Sequence, residues 1–296
     1  MTPDAFRSRL AQLTVWTSGT QRAPHKPLLL LYALARFAEG QDRLPHTSVE
    51  APLLALLRDF GPARQKKQAF SFQRLQRDGL WTVEGAEPIR RTASGDWFLV
   101  DARRVDPVGR FPDDVQAVLR AHPALIAEAA QTLLAAHFEP SYDEDLLTAV
   151  GLDLQTATVT RRRRDPTFRA AVLQAYGYRC AVCGFETRVG HALVGVDAAH
   201  VMWHHAGGPD AVSNGVALCA LHHRLLDRGA FTIRPVSTRE TVVEVAEAAH
   251  GGAGFERWLL AFHDRPLAEP TRAEHRVAEP SAAWHRREVF RGAARS

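Results

Sequence analysis

Four residues between positions 180 and 222 have the types and spacing of a metal site. Two residues separate Cys180 from Cys183, and the same gap separates Cys219 from His222. Three thiolates and one imidazole are a typical tetrahedral ligand set for a structural Zn²⁺. An iron–sulfur cluster would normally need four thiolates, and the packing of cysteines as small apolar side chains does not account for the matched gaps. We therefore predict a zinc site, and the clustered cysteines favour a reducing, cytoplasmic location over a disulfide framework.

A second histidine, His223, follows the predicted zinc ligand His222 directly. Neighbouring side chains on a helix point about 100° apart, so the pair does not easily serve one centre. The pair is explained if each histidine faces a different site.

A strand, a loop and a helix are predicted around these residues. Residues 193–200 alternate like a strand and end in His200, and a loop follows. Residues 214–229 are predicted as one helix, capped by Asn214 and ended by Gly229. A further helix, over residues 166–177, leads into the first cysteine pair.

The strand, loop and helix that carry His200, Asn214 and His223 resemble the ββα-metal core of the HNH nuclease family, over residues 165–232. In members with this zinc knuckle, the zinc ligands directly precede the catalytic histidine. The resemblance implies that His200 is the general base that takes a proton from water. It implies that Asn214 braces the loop and orients the base, and that His223 binds a catalytic Mg²⁺ or Mn²⁺.

One position departs from the family pattern. Many HNH proteins carry an Asp or a His directly before the general base as a second metal ligand, and this chain has Ala199 there. Asp197 lies two residues earlier on the same strand face. We predict Asp197 as the second ligand of the catalytic ion, with a structural role as the alternative, and His204 and His205 are further candidates.

The first 140 residues predict a mixed α/β domain that is mostly helical. Apolar residues recur at helical spacing, or in short strand-like runs, in separate segments. The predicted helices cover residues 28–39, 48–61 and 113–138, with Pro27 in the first turn of one and a break at Pro123 in another, and the predicted strands cover residues 80–84 and 97–100.

The predicted fold class is therefore mixed α/β (α+β), with two domains and a linker. Residues 1–140 are predicted to form a mostly helical N-terminal domain, residues 141–164 the linker, and residues 165–296 the HNH ββα-metal zinc-knuckle domain. The arginine run 161–164 is either a solvated face or a grip on the DNA backbone.

The composition is typical of a globular protein rather than a membrane protein. The chain has 296 residues, 24% of them charged, and a formal net charge of +4. These values are typical of a globular protein and lean towards an anionic partner. The longest apolar run, residues 27–35, is too short to cross a bilayer, so no membrane partner is expected.

Two segments of the first domain resemble the DNA sulfur-binding domain of McrA-like type IV restriction endonucleases. They are residues 22–34 (RAPHKPLLLLYAL) and 67–81 (KQAFSFQRLQRDGLW), and residues 284–292 resemble the ending of such proteins. The resemblance implies an enzyme that cuts double-stranded DNA whose backbone carries a phosphorothioate, in which sulfur replaces a non-bridging oxygen. Sulfur is polarisable and accepts hydrogen bonds poorly, so Phe70 can offer it an apolar wall.

The candidate DNA contacts belong to this region and are basic, polar or aromatic. They are Arg22, His25, Lys26, Arg64, Lys67, Phe70, Ser71 and Arg74. Ser71 stands where the family usually has a proline between two aromatic residues, which weakens the packing on sulfur or changes the tolerated flanking sequence. Phe72, Leu75 and Trp81 are expected in the core instead.

Two alternatives stay open. In one, the HNH nuclease is kept but the first domain reads methylcytosine or a plain sequence. In the other, the chain is a non-catalytic, zinc-stabilised DNA-binding protein. Because one HNH site cuts one strand, double-strand cleavage would suggest a homodimer or two bound molecules.

Overall fold

The computed structural model describes residues 1–18, 21–62, 71–152, 166–237 and 240–295. The chain divides into two compact units, Met1–Arg161 and Arg162–Ser296. Helices dominate, with short strands between them, which confirms the mixed α/β class predicted from the sequence. Within the described ranges, no helix combines the length and the apolar character that crossing a bilayer requires.

The first unit is built mostly of helices. Its helices are α1 (Pro3–Ala11), α2 (His25–Ala38), α3 (His46–Phe60), α4 (Ser71–Arg74), α5 (Leu99–Val105), α6 (Asp113–Ala121), α7 (Ala124–His137) and α8 (Asp143–Val150). Its strands are β1 (Thr17–Ser18), β2 (Gln21–Arg22), β3 (Leu44–Pro45), β4 (Thr82–Glu84) and β5 (Val108–Arg110). Strand β5 lies between β3 and β4 in an antiparallel sheet, and β1 pairs with β2.

Helix α2 is the central helix of this unit. Its four consecutive leucines, at positions 28–31, are all buried, and α2 packs against α3, α7 and α8. A helix that is apolar on several sides needs neighbours on each of them. Pro27 lies in the first turn, as predicted, because the N–H groups there have no partner within the helix in any case.

The sheet of the first unit closes over an aromatic core. Phe72, Leu75 and Trp81 are buried, as expected from the sequence, and the rings of Phe72 and Trp81 meet edge to face at 5.6 Å. At Gly109 on β5, an added Cβ would lie 2.1 Å from the Trp81 ring. Glycine is therefore required where this strand crosses the indole.

The strand predicted over residues 97–100 is wrong. Leu99 begins helix α5, and Trp97 makes only an isolated bridge with Arg91. A run of four apolar residues cannot distinguish a strand from a short helix. Phe98 and Val100 are exposed rather than packed in a core.

The first unit also extends past residue 140, where the sequence placed the start of the linker. Helix α8 contributes the buried side chains of Leu146 and Val150 and packs against α2 and α3. The Arg36 guanidinium Nη2 donates to the Val150 carbonyl at 2.9 Å. Residues 143–150 therefore belong to the core of this unit, and the arginine run 161–164 lies outside the described residues.

The second unit is a series of antiparallel hairpins with helices between them. Its helices are α9 (Pro166–Ala175), α10 (Ala220–Asp227), α11 (Ala253–Trp258) and α12 (Glu279–Glu288). Its strands are β6 (Arg188–Val189), β7 (Ala192–Leu193), β8 (Val196–His200), β9 (Gly215–Cys219), β10 (Phe231–Pro235) and β11 (Thr241–Val245), paired in sequence order. The succession β8, β9, α10 is the ββα arrangement that the resemblance to the HNH family implied.

The single helix predicted over residues 214–229 is wrong in its first third. Gly215–Cys219 is strand β9, with Gly215 opposite His200 and Cys219 opposite Val196. Every residue of β9 is buried, so the strand lacks the alternation that distinguishes strand from helix in a sequence. Asn214 consequently lies in a turn before β9 and does not cap α10.

Candidate active site and metal centre

The four predicted zinc ligands lie together in the second unit. His222 Nδ1 is 3.6 Å from Cys180 Sγ and 3.2 Å from Cys219 Sγ, and Cys183 Sγ is 3.9 Å from Cys219 Sγ. All four ligand atoms lie within 4.8 Å of one another. Tetrahedral zinc with its usual bond lengths separates its ligand atoms by about 3.5–3.8 Å. The residues present therefore fit a zinc ion.

A backbone carbonyl orients the histidine of this group. His222 is fully buried, and its Nε2 donates to the Trp258 carbonyl at 2.8 Å. The neutral ring then has its lone pair on Nδ1, the nitrogen that faces the thiols. Metal-binding histidines are commonly held in this way by a partner on the second nitrogen. Sequence reasoning missed Trp258, because a contribution from a backbone carbonyl has no side-chain signature.

His200 lies at the end of β8, between a ring and a carboxylate. It is 6% exposed, and the Phe168 ring of α9 stacks on it at 4.1 Å with 17° between the planes. Its Nε2 lies 2.7 Å from Oδ1 of Asp210. Sequence reasoning missed Asp210, although an acidic residue ten positions after the candidate base was visible.

Asn214 fastens the loop between β8 and β9 at both ends. Its Oδ1 accepts from the Met202 amide, and its Nδ2 donates to the carbonyls of Met202 and Pro209, all at 2.9–3.0 Å. An added Cβ at Gly208 would lie 1.9 Å from the Met202 carbonyl oxygen and 2.9 Å from Asn214 Nδ2. The buried amide thus has the bracing geometry that the resemblance implied for it.

His223 lies in different surroundings from its neighbour His222. His223 Nε2 is 3.6 Å from Oδ2 of Asp227, one helical turn further along α10. The Asp227 carboxylate is almost completely buried. The adjacent histidines therefore do not share a site, which is the arrangement expected from their angular separation on a helix.

Asp197 does not join a second metal group. Its Oδ1 accepts from Arg169 Nε of α9 at 2.7 Å. Within the described residues, the Cys–His group is the only set of three or more possible ligands whose atoms lie together. The predicted ligands Asp197 and His223 do not form such a set with a third residue among the described side chains.

In the first unit, the candidate DNA contacts that the structure describes are mostly held by other residues. Lys26 is only 15% exposed, and its Nζ pairs with Asp78 Oδ2 at 2.5 Å and donates to the Thr14 carbonyl. Arg74 is 44% exposed and donates twice to Asp96, at 2.9 and 2.6 Å. These bonds lower the pKa of the Asp96 carboxyl below its usual value.

Of the remaining predicted DNA contacts in the first unit, the structure describes the side chains of two, His25 and Ser71. His25 begins α2 and is half-buried. Ser71 begins α4 and is buried, and its Oγ has no hydrogen-bond partner in the described part of the chain. The Arg22 side chain and the predicted contacts Arg64, Lys67 and Phe70 lie outside the described residues.

Two family models match the chain. The model described as ScoMcrA-like, DNA sulfur-binding domain matches residues 3–155, and the HNH endonuclease model matches residues 180–234. Among curated proteins, none matches the chain.

Several solved structures are similar to this chain, and three of them each match about half of it. The type IV phosphorothioation-dependent restriction endonuclease ScoMcrA is 25% identical, over 49% of this chain and 33% of that chain, with a TM-score of 0.42. The chain thus spans a third of the length of that enzyme. The sulfur-binding domain of SprMcrA complexed with phosphorothioated DNA is 25% identical, over 51% of this chain and 95% of that chain, with a TM-score of 0.43. The sulfur-binding domain of ScoMcrA complexed with phosphorothioated DNA is 25% identical, over 49% of this chain and 98% of that chain, with a TM-score of 0.42.

The family assignment follows from the share of the chain that the first model covers. Residues 3–155 are more than half of the chain, and the HNH endonuclease domain follows them in the second unit. The chain therefore belongs to the ScoMcrA-like DNA sulfur-binding domain family and carries an HNH endonuclease domain.

Proposed function

We propose that this protein is a modification-dependent DNA endonuclease that recognises phosphorothioated double-stranded DNA and hydrolyses a phosphodiester bond nearby. The observation that carries the proposal is the presence of a DNA sulfur-binding domain and an HNH endonuclease domain in one chain. The first domain supplies recognition of the modified backbone, and the second supplies hydrolysis.

His200 is the proposed general base. It takes a proton from a water molecule while the water oxygen forms a bond to phosphorus, and the bond from phosphorus to the leaving sugar oxygen breaks. Phe168 fixes the plane of the imidazole ring. Asn214 holds the loop beside the ring through Met202 and Pro209.

The proposed metal ions have separate roles. Zn²⁺ bound by Cys180, Cys183, Cys219 and His222 would contribute free energy of folding, because a structural site rarely exists in the unfolded chain. A divalent ion such as Mg²⁺ or Mn²⁺ would supply charge neutralisation at the scissile phosphate when bound, with His223 as its proposed ligand.

For the DNA interface, we propose that exposed arginines contact the phosphate backbone and that the sulfur lies against Phe70. Arg74 supports this because its guanidinium is partly exposed and is oriented by Asp96. Lys26 is buried against Asp78, so its proposed part is to hold the chain at Thr14 rather than to meet solvent-exposed phosphate. Because one HNH site cuts one strand, we associate double-strand cleavage with a homodimer or with two bound molecules.

The test is cleavage of matched duplexes by the full chain. One duplex carries a phosphorothioate, the second is unmodified and the third carries methylcytosine, each with Mg²⁺ or Mn²⁺ present. We expect cleavage of the phosphorothioated duplex alone, and its loss in His200→Ala.

Three results would overturn the proposal. Equal cleavage of the modified and unmodified duplexes would indicate an enzyme that reads a plain sequence. Cleavage of the methylated duplex alone would indicate a methylcytosine reader. Binding with no cleavage under any condition would indicate a zinc-stabilised DNA-binding protein.

A further inference from the structure

Asp210 lies in the loop between β8 and β9 and contacts the proposed general base. Its Oδ1 is 2.7 Å from His200 Nε2, and the aspartate side chain is 36% exposed while the histidine is 6% exposed. An ionised carboxylate accepts hydrogen bonds and cannot donate them. Nε2 must therefore carry the proton in this contact, and the lone pair of the neutral ring lies on Nδ1.

We propose that Asp210 is a positioning residue that holds His200 in the Nε2–H tautomer, so that Nδ1 is the atom that takes the proton from water. This inference rests on the proposed nuclease function. When the proton arrives on Nδ1, the ring becomes an imidazolium, and the adjacent carboxylate stabilises its positive charge. Without the carboxylate, the neutral ring would distribute its proton between both nitrogens.

The hydrogen bonds of Asn214 to the loop between β8 and β9 also fix the position of Asp210. Asn214 Nδ2 donates to the carbonyl of Pro209, the residue directly before Asp210, at 3.0 Å. Gly208 lies one residue earlier and leaves no room for a side chain beside Met202 and Asn214. The structure thus gives a physical route by which Asn214 orients the base, from the amide through the Pro209 carbonyl to the carboxylate.

One other histidine faces the same carboxylate. His204 Nε2 lies 3.7 Å from Asp210 Oδ2, which is longer than a hydrogen bond, and the His204 side chain is half exposed. His200 holds the closer oxygen at hydrogen-bond distance. His204 also meets the His200 ring edge to face, with 5.9 Å between the ring centroids. It therefore provides a matched control, because its removal takes away a neighbour of both residues but leaves the bond between Asp210 and His200.

The direct test is the tautomer of His200, read from long-range ¹H–¹⁵N spectra of the zinc-loaded full chain at neutral pH. The chain has 14 histidines, so the His200 signals are assigned by their loss in His200→Gln. We expect the Nε2–H pattern in the wild type, in Asp210→Asn, which keeps an acceptor oxygen, and in His204→Gln. Asp210→Ala should show a mixture of both tautomers.

Activity supplies the second readout. Asp210→Ala should lower kcat about 100-fold, within the range for a misplaced general base, with KM nearly unchanged because the proposed recognition lies in the first unit. Asp210→Asn should fall between Asp210→Ala and the wild type. Unchanged zinc content and thermal melting would show that each variant is folded.

Several outcomes would overturn the proposal. They are an Nδ1–H pattern in the wild type, an unchanged tautomer in Asp210→Ala, or full activity of that variant. A higher Mg²⁺ requirement with an unchanged tautomer would make Asp210 a metal ligand instead. Because the spectra need no cleavage, a wrong assignment of Asp210 is distinguishable from a wrong assignment of the nuclease function.

Discussion

The two units hold their candidate functional residues in different ways. In the second unit, His222, His200 and Asn214 are buried, and each is fixed by hydrogen bonds or ring contacts. In the first unit, Lys26 and Arg74 are fixed by ion pairs with acidic partners. A site that holds a metal or moves a proton needs a few atoms at set distances, whereas a surface that grips a charged backbone can use residues of one charge in several arrangements.

The largest expected effect separates the adjacent histidines of the second unit. His222→Ala should lose the bound zinc and lower the melting temperature strongly, because a structural zinc contributes several kcal/mol or more to folding. His223→Ala should stay folded, keep about one zinc per chain as a closed four-ligand site requires, and lose cleavage. Metal analysis and thermal melting check both variants, and zinc loss in the His223 variant alone would reverse the two assignments.

The second expected effect is a loss of stability at acidic pH, caused by the buried histidine His285 in the second unit. His285 of α12 is fully buried, where its Nδ1 accepts from Thr232 Oγ1 and its Nε2 donates to the Leu226 carbonyl. Burial lowers the pKa of His285 to about 4. The unfolded chain, with an ordinary histidine pKa of about 6.5, therefore binds more protons between these two values, so the free energy of unfolding falls as the pH drops through that window.

The loss should reach about 3 kcal/mol near pH 4, from the difference between the two pKa values. Urea unfolding at neutral and acidic pH measures it. His285→Gln is the matched control, since glutamine keeps one donor and one acceptor but does not titrate, and its stability should depend less on pH. An equal pH dependence in both proteins would refute the assignment to His285.

The third effect tests whether the first unit reads sulfur. Phe70→Ala should weaken binding to the phosphorothioated duplex by about 1–3 kcal/mol, the range for uncovering a large apolar contact, and should affect the unmodified duplex much less. Arg74→Ala is the control, because a contact to phosphate weakens both duplexes alike and reduces the salt dependence by about one unit. Fluorescence anisotropy at two salt concentrations measures both. Equal losses on the two duplexes in Phe70→Ala would show that this ring does not contact the sulfur.

The smallest expected effect is that of Ser71→Pro, which restores the usual family residue. Ser71 is the first residue of α4, a position that tolerates proline, and its buried hydroxyl has no hydrogen-bond partner among the described residues. The variant should raise the free energy of unfolding by about 0.5–1 kcal/mol and increase the preference for the phosphorothioated duplex. Urea unfolding and competition binding check the two effects, and a destabilised variant would show that the serine amide is needed.

The sequence was sufficient to group the four candidate zinc ligands, which lie together in the structure, because their spacing is itself the signal. It also placed His200 at the end of a strand. The sequence did not predict strand β9, because a short and fully buried apolar run has no periodicity that distinguishes a strand from a helix. It also could not supply the partners of these residues: the Trp258 carbonyl has no side-chain signature, and Asp78 is 52 residues from Lys26.

His222 faces the proposed zinc site and His223 faces the proposed catalytic site. Both positions depend on the number of residues between these histidines and Cys219, the last residue of β9. Deleting one residue, such as the exposed Leu221, would turn the rest of the helix by about 100° relative to Cys219. His223 would then stand three positions after the cysteine, so the Cys-x-x-His spacing would survive, but Arg224 would occupy the place that His223 holds in the native chain. An in-frame loss of one codon would thus produce a protein that still binds zinc and folds but has no histidine left for the second role.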